Sequence, residues 1–185
     1  MKGIILAVLL IVPGIAFCAQ PSVSDLSAQL SNLRETCSKQ ASTSSEANAE
    51  AEYKSALDMK IAQSKAETDA QVYAVGHGRK ETRDYLLDQY QAADQASKEE
   101  SDAIAKKGKD DASAVQVCVA DAEQKGKALY SDFKRSSKRA PHAADDLMTA
   151  WLANISEISF DKPTGTSETA AAWKTAKAHA ELASL

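Results

Sequence analysis

Aromatic side chains account for only 5% of this 185-residue chain, which also holds just 7 glycines, 4 prolines and 3 cysteines. So few aromatics exclude a thick globular core. Alanine and serine dominate the small positions, and they suit helices that approach closely, with leucine at a minority of contacts. The scarce glycines and prolines leave long uninterrupted helix-forming stretches between them. Also missing are a Gly-rich phosphate loop, a nucleophile elbow and a His-Glu-x-x-His pair. His77, His142 and His179 stand in three separate segments with no carboxylate or thiol at ligand spacing, so no metal centre and no cofactor is expected. Glu99-Glu100 and Asp110-Asp111 are neighbours that point apart on a helix, which makes them a solvated face rather than an acid–base pair. An excess of basic charge is lacking too. The formal charge is −4, which argues against a nucleic-acid binder.

What is present begins at the N-terminus. Lys2 supplies a positive start, Gly3 to Phe17 is apolar apart from the Pro13-Gly14 break, and small residues follow at Ala16, Cys18 and Ala19. The run is short for a membrane span, and a breaker near its end suits a secretory signal peptide over 1–19, cleaved near Cys18 or Ala19. The flank has no positive stop-transfer cluster, which disfavours an uncleaved anchor. Cys18 also raises lipidation, but Phe17 stands where a lipoprotein site carries a small residue. The expected location is periplasmic or secreted, with lipoprotein anchoring through Cys18 as the minor alternative.

Cys37 and Cys118 remain, and an even count in an exported chain reads as a disulfide. Midway between them lies Gly76-His77-Gly78. A reversal there brings the two cysteines to the same height on opposite arms, with partner numbers summing to about 155. The same rule sets Leu26 against Leu129 and Val23 near Phe133. Val23, Leu26, Leu30, Leu33 and Cys37 step by three and four, as a coiled-coil seam does, and Val115, Cys118, Ala122, Leu129 and Phe133 form a matching stripe. Toward the tip the expected seam passes through Tyr53, Leu57 and Ile61, answered by Leu86, Tyr90, Ala93 and Ser97. The fold class is therefore all-α, a long antiparallel hairpin over 20–139. Gly108 and Gly126 interrupt the return arm, and a turn near Gly108 is the rival topology.

Ala140-Pro141 ends the second arm. Residues 140–185 read as a small helical pair packed on the hairpin base. Its first helix starts near Asp145-Asp146 and buries Leu147, Trp151, Ile155 and Ile158. Its second is capped by Thr166 or Ser167 and buries Trp173, Ala176, Ala180 and Leu182. Asn154-Ile155-Ser156 matches a glycosylation sequon but lies on the apolar face, which discounts it.

These features point to an exported interaction protein of the cell envelope, a helical spacer, adaptor or docking module of the secretion-accessory type, with protein partners and no nucleic acid. Two basic groups are the candidate contacts. Arg79, Lys80 and Arg83 lie at the tip. Lys134, Arg135, Lys138 and Arg139 end the second arm, where cations complement the helix dipole and could also meet anionic membrane. The alternative is a secreted inhibitor or immunity-type protein. A cell-wall enzyme is disfavoured, because a two-helix stalk offers no cleft.

Overall fold

The computed structural model describes residues 21–137 and 141–184, and these form four helices with no strand among them. Helix α1 runs Val23–Tyr73 and α2 runs Arg79–Ser136, with 51 and 58 residues. At 1.5 Å per residue they are about 77 and 87 Å long. Ser22 starts α1 with a reciprocal cap: its hydroxyl accepts from Asp25 N–H at 3.1 Å, and the Asp25 carboxylate accepts from Ser22 N–H at 2.9 Å. The Ser22 N–H, and after it the Ser22 hydroxyl donating at 2.7 Å, hold the Asp25 carboxyl below its ordinary value. Two short helices follow, α3 over Pro141–Ile155 and α4 over Ser167–Leu182, the latter capped by Thr166. Pro141 occupies the first position of α3, where its missing N–H costs nothing. The proposed signal peptide over 1–19, Cys18, Lys138 and Arg139 all lie outside the described residues.

The chain reverses between Tyr73 and Arg79, as the cysteine midpoint implied, and α2 runs unbroken through Gly108. Cys37 and Cys118 form the disulfide, with Cα atoms 5.7 Å apart. The register holds along the arms. Ser55 Oγ donates to Glu100 at 2.8 Å, a pair that also sums to 155, and the offset grows by only a few residues by the time Tyr90 Oη reaches Glu67 at 2.8 Å.

Along the upper arm the seam departs from expectation. Tyr53, Leu57 and Ile61 are 72, 44 and 57% exposed, while Ser55, Ala66 and Ala70 face α2. Tyr53 stands two residues before Ser55, about 200° away around the helix, so the line through Tyr53, Leu57 and Ile61 runs on the face turned away from α2. The central contact is therefore made by small groups and is loosely filled. Clefts of about 270 and 190 Å³ flank Ser55, Met59 and Ser97.

The dense packing is at the base. Val23, Leu26, Leu30, Val115, Ala122 and Phe133 join Leu147, Trp151, Ile155, Ile158 and Trp173 in one core. Trp151 is fully buried and donates its indole N–H to the Leu30 carbonyl at 2.8 Å. The outer edge of its ring, Cζ3 and Cη2, meets α2 at Gly126, where a Cβ would overlap the indole and stand 3.2 Å from Leu30 Cδ2. Gly126 is thus a seat for Trp151, not an interruption of the arm. Two smaller expectations also change. Leu182 is 66% exposed, because α4 is ending there, and Asp145 and Asp146 fall beyond the first turn of α3.

Candidate functional site

Two regions concentrate interactions: the tip and the junction of hairpin and head. The tip is held by local contacts alone. His77 Nδ1 bonds to the Tyr73 carbonyl at 2.8 Å, and the His77 ring stacks on Tyr73 with centroids 3.7 Å apart. Tyr73 stacks in turn on Tyr85 across the hairpin at 4.6 Å. The Glu81 carboxylate turns back to accept Gly78 N–H at 3.1 Å, which caps the start of α2. Neither Gly76 nor Gly78 has positive φ, and an added Cβ at Gly76 would meet nothing. These glycines place the turn by weakening the helix, each by about 1 kcal/mol relative to alanine, not by permitting special geometry.

Around this ordered turn the surface is open. Val75 is 89% exposed and Val72 70%. Arg79, Lys80 and Arg83 are exposed beside them, with Arg83 3.4 Å from Asp84. Ala74, His77, Arg79, Thr82, Arg83 and Leu86 line a shallow pocket of about 310 Å³. Aliphatic walls rimmed by two guanidinium groups can take an acidic side chain through charge-assisted hydrogen bonds.

The basic cluster at the other end is differently placed. Lys134 Nζ lies 2.9 Å from Asp145 and over the Tyr130 ring, and Arg135 pairs with Asp132 one turn earlier. Tyr130 Oη also donates to Asp145. Together the hydroxyl and then the ammonium hold the Asp145 carboxyl below its ordinary value, while Asp145 raises both Tyr130 and Lys134. The Tyr130, Lys134 and Asp145 contacts tie α2 to α3, while the Arg135–Asp132 pair stays within α2.

The densest polar network went unread in the sequence. Asn154 is fully buried. Its carbonyl oxygen accepts from Arg34 Nε at 2.5 Å, and its amide donates to the Thr164 carbonyl and to Thr169 Oγ1 at 3.0 and 3.1 Å. Glu157 accepts from Thr166 N–H at 3.1 Å and from Thr169 Oγ1 at 3.1 Å, and bonds to the Thr166 hydroxyl lower its carboxyl most. Gly165, at φ +77, lets the loop pass over Asn154, where a Cβ would sit 2.7 Å from Nδ2. Arg34 thereby clamps α1 to the loop between α3 and α4. Burial of the guanidinium pulls its pKa below the usual value. Asn154, matched by the sequon, is a structural hub. Among the described residues no group of histidine, cysteine and carboxylate side chains is placed to hold a metal, and no helix is long and apolar enough to cross a membrane. No family model, curated protein or solved structure matches this chain.

Proposed function

We propose that the protein is an exported interaction module of the cell envelope, a disulfide-braced helical spacer or adaptor that presents its tip to a protein partner. The observation carrying this reading is the division of labour along the rod. The disulfide, both tryptophans and the Arg34–Asn154 network gather at the base. The tip buries little, yet stacking and capping hold it in one shape beside exposed Val75, Arg79, Lys80 and Arg83. A preordered surface loses less entropy on docking than a floppy one. The disulfide is compatible with the oxidising compartment that export implies.

The test replaces Arg79, Lys80 and Arg83 by alanine together. Helicity and melting temperature should stay nearly constant, since exposed substitutions of this kind usually cost within about 0.5 kcal/mol, while partner capture weakens. The comparison makes the same change at Lys134, Arg135 and Lys138. Loss of capture only in the second set would move the working surface to the base.

A further inference from the structure

Directly opposite the face that α1 presents to α2 runs a second helical line: Tyr53, Leu57, Ile61, Ser64, Thr68 and Val72. All six are exposed, and Val72 is 70% exposed at the distal end. Leu57, Ile61, Ser64 and Thr68 step by four, three and four, the spacing of a coiled-coil seam. On one flank stand Asp58 and Lys65, on the other Lys60 and Glu67, all exposed.

We propose that this line takes a second copy of the chain, α1 against α1, antiparallel about a two-fold axis beside residues 62 and 63. That operation sets Leu57 against Thr68 and Ile61 against Ser64, so each large side chain meets a smaller one. Tyr53 and Val72 close the two ends of the overlap. On the flanks it sets Asp58 opposite Lys65 and Lys60 opposite Glu67, and symmetry makes each pair twice. A parallel alignment would instead face Lys60 with Lys65, because flanking positions then pair across the seam with an offset of five residues. Charge therefore selects the antiparallel arrangement. The overlap of about 30 Å has two polar residues among its four central positions. It belongs at the low end of specific interfaces, below about 1,200 Å², which means a weak dimer sensitive to salt.

Sedimentation equilibrium of the purified protein, up to about 1 mM, tests this. A reversible monomer–dimer equilibrium is expected, weakened by salt and abolished by Leu57→Glu with Ile61→Glu. Asp58→Lys should weaken dimerisation about tenfold through like-charge contacts, and adding Lys65→Asp in the same chain should restore it. All these side chains are exposed, so far-ultraviolet circular dichroism should stay unchanged. A monomer throughout the concentration range overturns the proposal. So does a dimer indifferent to Asp58→Lys, or one that the double exchange fails to recover.

Discussion

Replacing Gly126 by alanine sets two physical effects of opposite sign against each other. In a helix interior alanine is favoured over glycine by about 1 kcal/mol, so a bare helix would gain. At this position, however, the new methyl would overlap the Trp151 ring and crowd Leu30 Cδ2 at 3.2 Å. Neither neighbour can retreat easily. Trp151 is fully buried and its N–H is fixed on the Leu30 carbonyl, and Leu30 is itself fully buried. Overpacking of this kind costs about 1–3 kcal/mol, and a displaced indole also weakens a hydrogen bond of about 1 kcal/mol. The net expectation is a loss of about 2 kcal/mol, or about 4–8 °C in melting temperature for a chain of this size. Thermal and urea unfolding followed by circular dichroism measure it. Gly108→Ala is the internal control. There the nearest atom is Asn48 Oδ1 at 3.1 Å, on a partly exposed side chain that can swing away, so the helix gain of up to about 1 kcal/mol should survive. A Gly126→Ala protein melting at or above the parent temperature would refute the seat.

Other expectations follow from the same packing. Non-reducing peptide mapping should recover Cys37 joined to Cys118 within one chain, and Cys37→Ser should lower stability by about 4 kcal/mol on the chain-entropy account; free thiols in protein from an oxidising compartment would contradict it. Arg34→Ala leaves the buried Asn154 carbonyl without its donor and should cost about 1–3 kcal/mol, read as a shifted urea midpoint. The Asp145 and Glu157 carboxyls are both held below their ordinary values in the fold. Their contribution is therefore full above about pH 5 and is lost as pH falls through the lowered folded values. A melting temperature that declines in acid should decline less steeply once Glu157→Gln removes one such group.

The hairpin was legible because two independent signals agreed. Gly76 and Gly78 lie midway between the cysteines, and the leucine spacing below Cys37 carries the same register. The head was legible through its large side chains, since Leu147, Trp151, Ile155 and Ile158 recur every three or four residues and all four are buried. Size failed as a guide along the upper arm. There serine and alanine hold the contact while Tyr53, Leu57 and Ile61 face outward, so following the large residues led off the seam. Gly126 was misread for a related reason: a glycine that accommodates a distant ring looks, in one dimension, like a weak point. Arg34 and Asn154 lie 120 residues apart and meet only once α3 has folded against α1. The one available signal was a polar Asn154 on the buried stripe between Trp151 and Ile158. At the tip, Tyr73 precedes Gly76 by three residues whereas Tyr85 follows Gly78 by seven, so their spacing in sequence did not announce the stacking.

A photo-crosslinking residue in place of Val75, which is 89% exposed, offers the most direct test of tip presentation. The matched position is Val117 on α2 beside the disulfide, 67% exposed. Irradiation of cells exporting each variant is followed by mass spectrometry of the adducts. Tip presentation requires a discrete protein adduct at position 75 that disappears when Arg79, Lys80 and Arg83 are replaced by alanine. Adducts at position 117 alone, or a position-75 adduct indifferent to those three cations, would contradict it.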